Sequence, residues 1–273
     1  MSIPIGWEAN AFNQVPESSN RIHSDEMARS LGFTGALVPG VTVSAYLVHP
    51  GLIAWGADFL NRSKAEVTVH KPLYDGHNFE VTVSEASAGG YSAKLMDSSG
   101  VVCATARVEL LNMLPEPPVY RGDALLTKDT QRPEATPENM ALLKLQGLSA
   151  LVSTWETEQP MSSYLKDSNL MPELLRVDAG GMANAGYLLG LTNGILSGNA
   201  LMNPWIHLQT SSCFFKAVAL NTELIVECAI KDLFNRKGHE FVDIDVFAFE
   251  RATKKAVMSA ELRAIYQVRG ATP

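Results

Sequence analysis

Two polar residues that stand three positions apart, Asn20 and His23, carry the clearest signal for chemistry in this sequence. They lie in the stretch SSNRIHSDEMA, residues 18–28, shortly before the glycine-rich stretch GFTGALVPGV, residues 32–41. A histidine ring gains and loses a proton near neutral pH. The same two residues also serve structure, because histidine tethers loops and asparagine is common in turns. A functional site and a tethered loop are therefore the two interpretations to separate.

The residues that follow predict a short helix over 24–31. Ser24 suits the N-cap, acidic residues follow in the first turn where the helix dipole favours them, and Gly32 suits the position just past the helix. Asn20 and His23 therefore lie on the loop that enters this helix. Such a loop is positioned by the scaffold without being buried in it, so its polar side chains are available for function.

Gly40 follows Pro39 and precedes a long apolar segment, 41–60, that predicts a core helix. One interpretation is that the two residues only form a turn. The other is that the main-chain amide of Gly40 is exposed at the start of the helix, where an oxyanion binds well. We take the second as our hypothesis.

The order of elements occurs twice along the chain. In each half, a long apolar segment is followed by strand-like alternation with turn signals between the runs. The four segments are 41–60, 67–111, 178–198 and 205–268. In the second apolar segment Gly186, Gly190 and Gly194 recur every four residues, which predicts a smooth helix face that a sheet approaches closely.

A proline-rich stretch, residues 113–139, separates the two halves and predicts an extended crossover linker. We therefore expect an N-terminal domain over 1–112 and a C-terminal domain over 140–273. A long helix wrapped by a curved antiparallel sheet, present twice, is an α+β arrangement known as a double hotdog, in which the two units pair through their sheets. A generic pair of α+β domains is the alternative.

The charge of the chain argues against a nucleic-acid partner. Lys and Arg number 22 and Asp and Glu number 29, which gives a net charge of −7 with no basic cluster. An anionic ligand would therefore need local attraction, for which Arg21, Lys71 and Lys216 are the candidates.

The sequence also favours an intracellular location. The N-terminus lacks the features of a signal peptide, and no uncharged apolar segment reaches the roughly 18 residues that span a bilayer. We expect a soluble, cytoplasmic protein without a membrane partner. Three cysteines lie in apolar or strand-like contexts and predict buried free thiols: Cys103, Cys213 and Cys228. The histidines form no pair at metal-ligand spacing, so no metal site is expected.

The pattern N-x-I-H-x-D-x-x-A followed by GF-x-G-x-L-V-x-G resembles the hydratase motif of the MaoC-like family, the (R)-specific enoyl-CoA hydratases and dehydratases, which have the hotdog fold. The resemblance is specific over residues 18–43, loose over the first sheet and only architectural in the second half. It implies that His23 is the catalytic acid/base, Asn20 its companion and the Gly40 amide the oxyanion donor. It also implies a coenzyme A thioester as substrate and no further cofactor.

Two positions depart from the family motif. Ser18 stands where the motif has an Asp, and Arg21 stands where it has a Pro. Three repairs are open: Glu17 takes the place of the missing carboxylate, His23 works alone, or Asp178 of the other half completes the site. Glu17 also suits a solvated turn, and Asp178 also suits the N-cap of the second core helix.

Three functions follow from these alternatives. The first is an acyl-thioester hydratase or dehydratase that acts on an enoyl or 3-hydroxyacyl thioester. The second is a hotdog thioesterase that directs water to the carbonyl carbon, with Asp178 as its carboxylate. The third is a non-catalytic module that binds an acyl-thioester. The tandem halves predict a monomer in which the two halves of one chain pair with each other. A homodimer of such chains is the alternative.

Overall fold

The computed structural model describes residues 2–270. Its ten strands form one continuous antiparallel sheet in the order β1-β3-β4-β5-β2-β7-β10-β9-β8-β6. The strands are β1 (Gly6–Asn10), β2 (Ser63–Val69), β3 (Asn78–Ser87), β4 (Gly90–Asp97), β5 (Val102–Leu110), β6 (Leu151–Trp155), β7 (Ile206–Phe214), β8 (Thr222–Arg236), β9 (His239–Glu250) and β10 (Ala256–Gln267). The α-helices are α1 (Asp25–Ser30), α2 (Gly40–Trp55), α3 (Ala57–Arg62), α4 (Pro137–Gln146) and α5 (Ala185–Asn199).

The two halves of the sheet have the same topology. The order β1-β3-β4-β5-β2 in the first half is repeated as β6-β8-β9-β10-β7 in the second, and the halves join where β2 pairs with β7. In that pairing Ala65 lies opposite Ser212 and Thr68 lies opposite Gln209. The predicted double hotdog, with its units paired through their sheets, is thus confirmed.

The strands form because their side chains alternate between the core and solvent. In β10, for example, Ala260, Leu262 and Ala264 are buried whereas Glu261 and Arg263 are exposed. This is the period of two that a half-buried strand requires. The edge strands β1 and β6 are short and lie outside the predicted segments, because five residues are too few for a clear periodic signal.

The two core helices, α2 and α5, pack against each other and against the sheet. The first apolar segment, 41–60, forms two helices, because Gly56 adopts a left-handed φ of 55° that ends α2. The second helix begins later than expected, at Ala185. Its N-cap is Asn184, whose side chain accepts a hydrogen bond from the Tyr187 amide, so the expectation that Asp178 caps this helix is wrong.

The three glycines of α5 meet three different neighbours. A Cβ added at Gly194 would lie 3.1 Å from Leu151 of β6, whereas one at Gly190 would meet Met161 of a loop. At Gly186 the nearest atoms beyond the N-cap belong to Ala45 of α2. The smooth face therefore admits a strand, a loop and a helix in turn, and not the sheet alone.

The stretch between the halves, residues 111–136, contains no helix or named strand. It is nevertheless held firmly, because the fully buried carboxylate of Glu227 in β8 accepts hydrogen bonds from the main-chain amides of Arg121, Gly122 and Asp123 at 2.7–3.0 Å. Helix α4 begins at Pro137, within the expected linker. Over residues 2–270, none of the helices has the length and apolarity needed to cross a membrane.

Candidate functional site

A cavity of about 210 Å³ lies in front of the N-terminus of α2, where the end of β2 meets the start of β7. Its wall is mainly apolar, with Leu37, Leu73 and Ile206 among the lining side chains, while the exposed Lys71 lies at its edge. Both halves of the chain contribute to it. None of the lining residues in the described part of the chain is an Asp or a Glu.

His23 lines this cavity at the end of a 3₁₀ turn, Arg21–His23. The turn is anchored by Ile22, which packs with Ala28 and Leu37 in a small apolar cluster of its own. The Nδ1 atom of His23 lies 2.8 Å from the carbonyl oxygen of Leu37. A carbonyl only accepts hydrogen bonds, so Nδ1 carries the ring proton in the neutral imidazole.

The second ring nitrogen of His23, Nε2, has no hydrogen-bond partner among the described residues, and it is not fully buried. Burial lowers the pKa of His23 below 6.5, and the bond to Leu37 only partly opposes this. At neutral pH the ring is therefore uncharged, with an unprotonated nitrogen available as a base.

Asn20 also lines the cavity, but its side chain is fully used. Its Nδ2 atom donates to the carbonyl oxygen of Trp205 at 3.0 Å, and its Oδ1 atom accepts from the Trp205 amide at 3.2 Å. This pair of bonds fastens the His23 loop to the second half of the chain. The residue is buried, which makes the clamp costly to break.

Gly40 is the first residue of α2 and has no side chain because none fits. A Cβ at this position would lie 2.9 Å from the ring of His207 in β7. The N-cap of α2 is Pro39, which supplies no side-chain cap. The Gly40 amide makes no hydrogen bond to another described residue, so a helix N-terminal donor lies at the cavity.

The structure places Ser18, Glu17 and Asp178 outside the lining of the cavity. The Ser18 hydroxyl accepts a hydrogen bond from the Asn20 amide at 3.2 Å and so shapes the loop. Glu17 is exposed. Asp178 is exposed as well and pairs with Arg176 at 2.8 Å, which lowers the pKa of its carboxyl group.

The three basic residues proposed to attract an anionic ligand do not all lie at the cavity. Lys71 lines the cavity, whereas Lys216 is paired with Glu250 at 2.6 Å. Arg21 is exposed beside the site, with its main-chain amide bonded to Asn203. Of the three, only Lys71 is among the lining residues.

Polar lining residues that the sequence analysis did not single out include His207 of β7 and Asn193 of α5. The buried ring of His207 lies 3.2 Å from Oδ1 of Asn193 through Nδ1, and 2.5 Å from Oγ1 of Thr210 through Nε2. Burial lowers the pKa of His207 to about 4. No motif in the sequence marks these residues, because His207 reaches the cavity through the pairing of β7 with β2 and Asn193 through the packing of α5 on α2.

The arrangement suits chemistry on a carbonyl compound with an apolar tail. His23 supplies a neutral base, and the Gly40 amide supplies a hydrogen-bond donor for an oxygen that gains charge. The apolar wall accommodates a hydrocarbon group.

Comparison with known proteins bears on the fold. No protein-family model matches the chain, and no curated protein matches it either. A conserved hypothetical protein of Mycobacterium tuberculosis with a double hotdog fold is similar, with a TM-score of 0.57, 14% identity, and coverage of 96% of each chain. A protein of Chloroflexus aurantiacus proposed to be a MaoC domain dehydratase has a TM-score of 0.56 and 13% identity, over 98% of this chain and 96% of that one. A Thermobifida fusca protein proposed to be a thioesterase II has a TM-score of 0.54 and 11% identity, over 97% and 93%.

These neighbours share the fold of the chain over nearly its whole length. The chain is therefore a double hotdog protein, and its structural neighbours include both MaoC-like dehydratases and thioesterases. At such low identity they do not choose between the two activities.

Proposed function

We propose that this protein binds an acyl thioester in the cavity and adds water to, or removes it from, the C2–C3 bond of the acyl group. The observation that carries the proposal is the free Nε2 of His23 in a cavity that the uncapped Gly40 amide also lines. The motif resemblance over residues 18–43 points to the same chemistry.

In the hydration direction, the thioester carbonyl oxygen accepts a hydrogen bond from the Gly40 amide. Nε2 of His23 takes a proton from a water molecule while the water oxygen attacks C3. The electron pair of the C2–C3 double bond moves toward the carbonyl, and the Gly40 amide stabilises the enolate oxygen. The imidazolium of His23 then returns its proton to C2, and dehydration follows the same steps in reverse.

This scheme gives His23 both proton transfers, so no carboxylate takes part. Glu17 and Asp178, exposed and outside the cavity lining, are not needed. Lys71 at the cavity is suited to the anionic coenzyme A group. The three buried cysteines are free thiols, which favours a reducing compartment such as the cytoplasm.

One observation favours a second candidate, a module that binds acyl thioesters without turnover. No Asp or Glu is found among the described residues that line the cavity, so the base has no acidic partner there. In that case Ser18 at the position of the motif Asp marks the loss of catalysis.

The test follows crotonyl-CoA with the purified protein by two signals, the loss of the enoyl absorbance and the release of free thiol. We expect the absorbance to fall without thiol release in the native protein. We expect no change with His23→Gln, and native rates with the exposed control His77→Gln.

Each other result decides against the proposal. Thiol release with no prior loss of absorbance identifies a thioesterase. Binding by calorimetry without either signal identifies the binding module. Full activity of His23→Gln overturns the assignment of the site.

A further inference from the structure

Asn193 is the polar residue that the second half contributes to the cavity from its core helix, α5. Its Oδ1 atom lies 3.2 Å from Nδ1 of His207 and 3.4 Å from the Thr192 hydroxyl. Its Nδ2 atom has no hydrogen-bond partner within residues 2–270, and it is not fully buried. An amide donor that lines an apolar cavity and has no protein acceptor is available to a ligand.

The orientation of this amide follows from a chain of bonds through His207. Thr210 can donate its hydroxyl proton to Nε2 of His207, which leaves Nδ1 as the protonated ring nitrogen. Nδ1 then donates to Oδ1 of Asn193. Because Oδ1 is the acceptor in this chain, the NH₂ group of Asn193 is directed away from His207.

The burial of His207 supports this direction of bonds. Burial lowers the pKa of the ring to about 4, so the ring is neutral at physiological pH and carries a single proton. Its environment supplies one hydroxyl donor and one amide acceptor, which together select one tautomer.

We propose that Asn193 is a ligand-binding residue whose side-chain NH₂ donates a hydrogen bond to an oxygen of the acyl group, and that Thr210 and His207 are positioning residues that orient it. This inference rests on the proposed function, since it takes the ligand to be an acyl thioester. Two oxygens have the required chemistry, the thioester carbonyl and the hydroxyl on C3. The site would thus be shared, with His23 and Gly40 from one half and Asn193 from the other.

The test measures by calorimetry the binding of two thioesters, butyryl-CoA and 3-hydroxybutyryl-CoA. Asn193→Asp keeps the acceptor for His207 and removes the NH₂ donor, and Asn193→Leu removes both at similar volume. Asn112→Asp makes the same chemical change at an exposed residue outside the cavity. Loss of one hydrogen bond predicts binding about twofold to tenfold weaker in both Asn193 variants and unchanged in Asn112→Asp.

The two ligands separate the possible acceptors. Weaker binding of both thioesters assigns the bond to the carbonyl oxygen, and weaker binding of only 3-hydroxybutyryl-CoA assigns it to the hydroxyl. Native affinity of both Asn193 variants for both ligands overturns the inference while the proposed function stands. A native protein that binds neither thioester overturns both.

The positioning role has its own readout, which does not depend on ligand affinity. Nitrogen NMR of the histidine rings should show His207 protonated at Nδ1 in the native protein. Thr210→Val removes the hydroxyl donor at equal size and should shift this tautomer signal, as well as weakening ligand binding by less than Asn193→Asp. A native ring protonated at Nε2 contradicts the proposed orientation of Asn193.

Discussion

The segments that precede the two core helices are equal in length, 11–39 before α2 and 156–184 before α5. They differ in whether they leave space at the helix that follows. The first leaves a cavity in front of its helix. The second packs its side chains against both core helices: Tyr164 is fully buried against Tyr46 and His49 of α2, and Met161 lies against Gly190 of α5. The hydroxyl of Tyr164 lies 2.8 Å from Nδ1 of His49, so this histidine of α2 serves packing.

The starts of the two helices also differ, because a side chain caps α5 and none caps α2. Asn184 caps α5 through the Tyr187 amide, and its Nδ2 atom also binds the carbonyl oxygens of Met161 and Ser162. Gly40 at the start of α2 has no such cap. A helix N-terminus is available to a ligand only where the preceding segment neither caps nor covers it. One duplicated fold can therefore hold a cavity at one helix start and a packed core at the equivalent position of the other half.

The largest expected effect comes from replacing, in turn, two histidines of the first half: His23 at the cavity, and His49 of α2, which contacts the packed segment of the second half. His23→Ala should lower the rate of hydration about 10³-fold, because the general base is lost. His49→Ala should leave the rate per folded molecule unchanged but lower the free energy of unfolding by about 2–3 kcal/mol. It loses the bond to Tyr164 and the stacking on Trp7 at 4.2 Å between ring centroids. Enoyl-CoA kinetics and urea unfolding measure the two effects, and equal loss of rate in both variants would contradict the comparison.

The packed segment of the second half can be opened by truncating its tyrosine. Tyr164→Ala should lower the free energy of unfolding by about 3–5 kcal/mol, because a fully buried aromatic ring is removed from the core. Tyr164→Phe keeps the ring and should cost about 1–2 kcal/mol for the bond to His49. Urea unfolding compares the two, and a cost below about 1 kcal/mol for the alanine variant would show that the segment is not part of the core.

The pH dependence should separate activity from stability. The folded pKa of His23 is lowered, so its base form persists below pH 6.5. We therefore expect the acidic limb of kcat/KM to have its midpoint below pH 6.5, the value of an unperturbed histidine. A rate that falls already between pH 8 and 7 would assign the base to another group.

The free energy of unfolding should depend on pH through the two deeply buried histidines, His49 and His207. The folded pKa values of His49 and His207 are about 4, whereas an unfolded histidine has about 6.5. Between these values the unfolded state binds more protons, so stability is lost as pH falls from 6.5 to 4, by at most about 1.4 kcal/mol per pH unit for each ring. His49→Gln should reduce this slope, as measured by urea unfolding across the range, and an unchanged slope would exclude His49 as a source.

The smallest effect is expected from the two carboxylates first considered as partners of His23. Glu17→Gln and Asp178→Asn should each change the rate of hydration by less than about twofold, because both residues are exposed and lie outside the cavity lining. Steady-state kinetics with crotonyl-CoA tests this. A tenfold fall in either variant would return that carboxylate to the site and break the contrast between the halves.

Much of the fold could be predicted from the sequence because its signals are local. Alternation of apolar and polar residues predicted strands over 67–111 and 205–268, and these segments contain β3–β5 and β7–β10. The glycine-rich run likewise located Gly40 at the start of α2. The break at Gly56 was missed, since apolar periodicity continues across it and only the backbone conformation ends the helix.

The site was only half predictable for a related reason. Asn20, His23 and Gly40 share one short motif, and the structure brings them to one cavity. Asn193 and His207 reach the same cavity through the pairing of β7 with β2 and the packing of α5 on α2, which depend on residues far apart in the chain. The need for glycine at position 40 also depends on a distant residue, because the ring of His207 leaves no room for a Cβ atom.

The amides that Glu227 holds in the linker have a consequence for proteolysis. Met113 and Val119, before the held residues, are 86% and 80% exposed, so we expect a protease to cut there. The nick would not free the fragments, because the β2–β7 ladder and the contact between α2 and α5 still join them. A nicked protein should therefore elute as one particle from a sizing column and split into two bands only in denaturant.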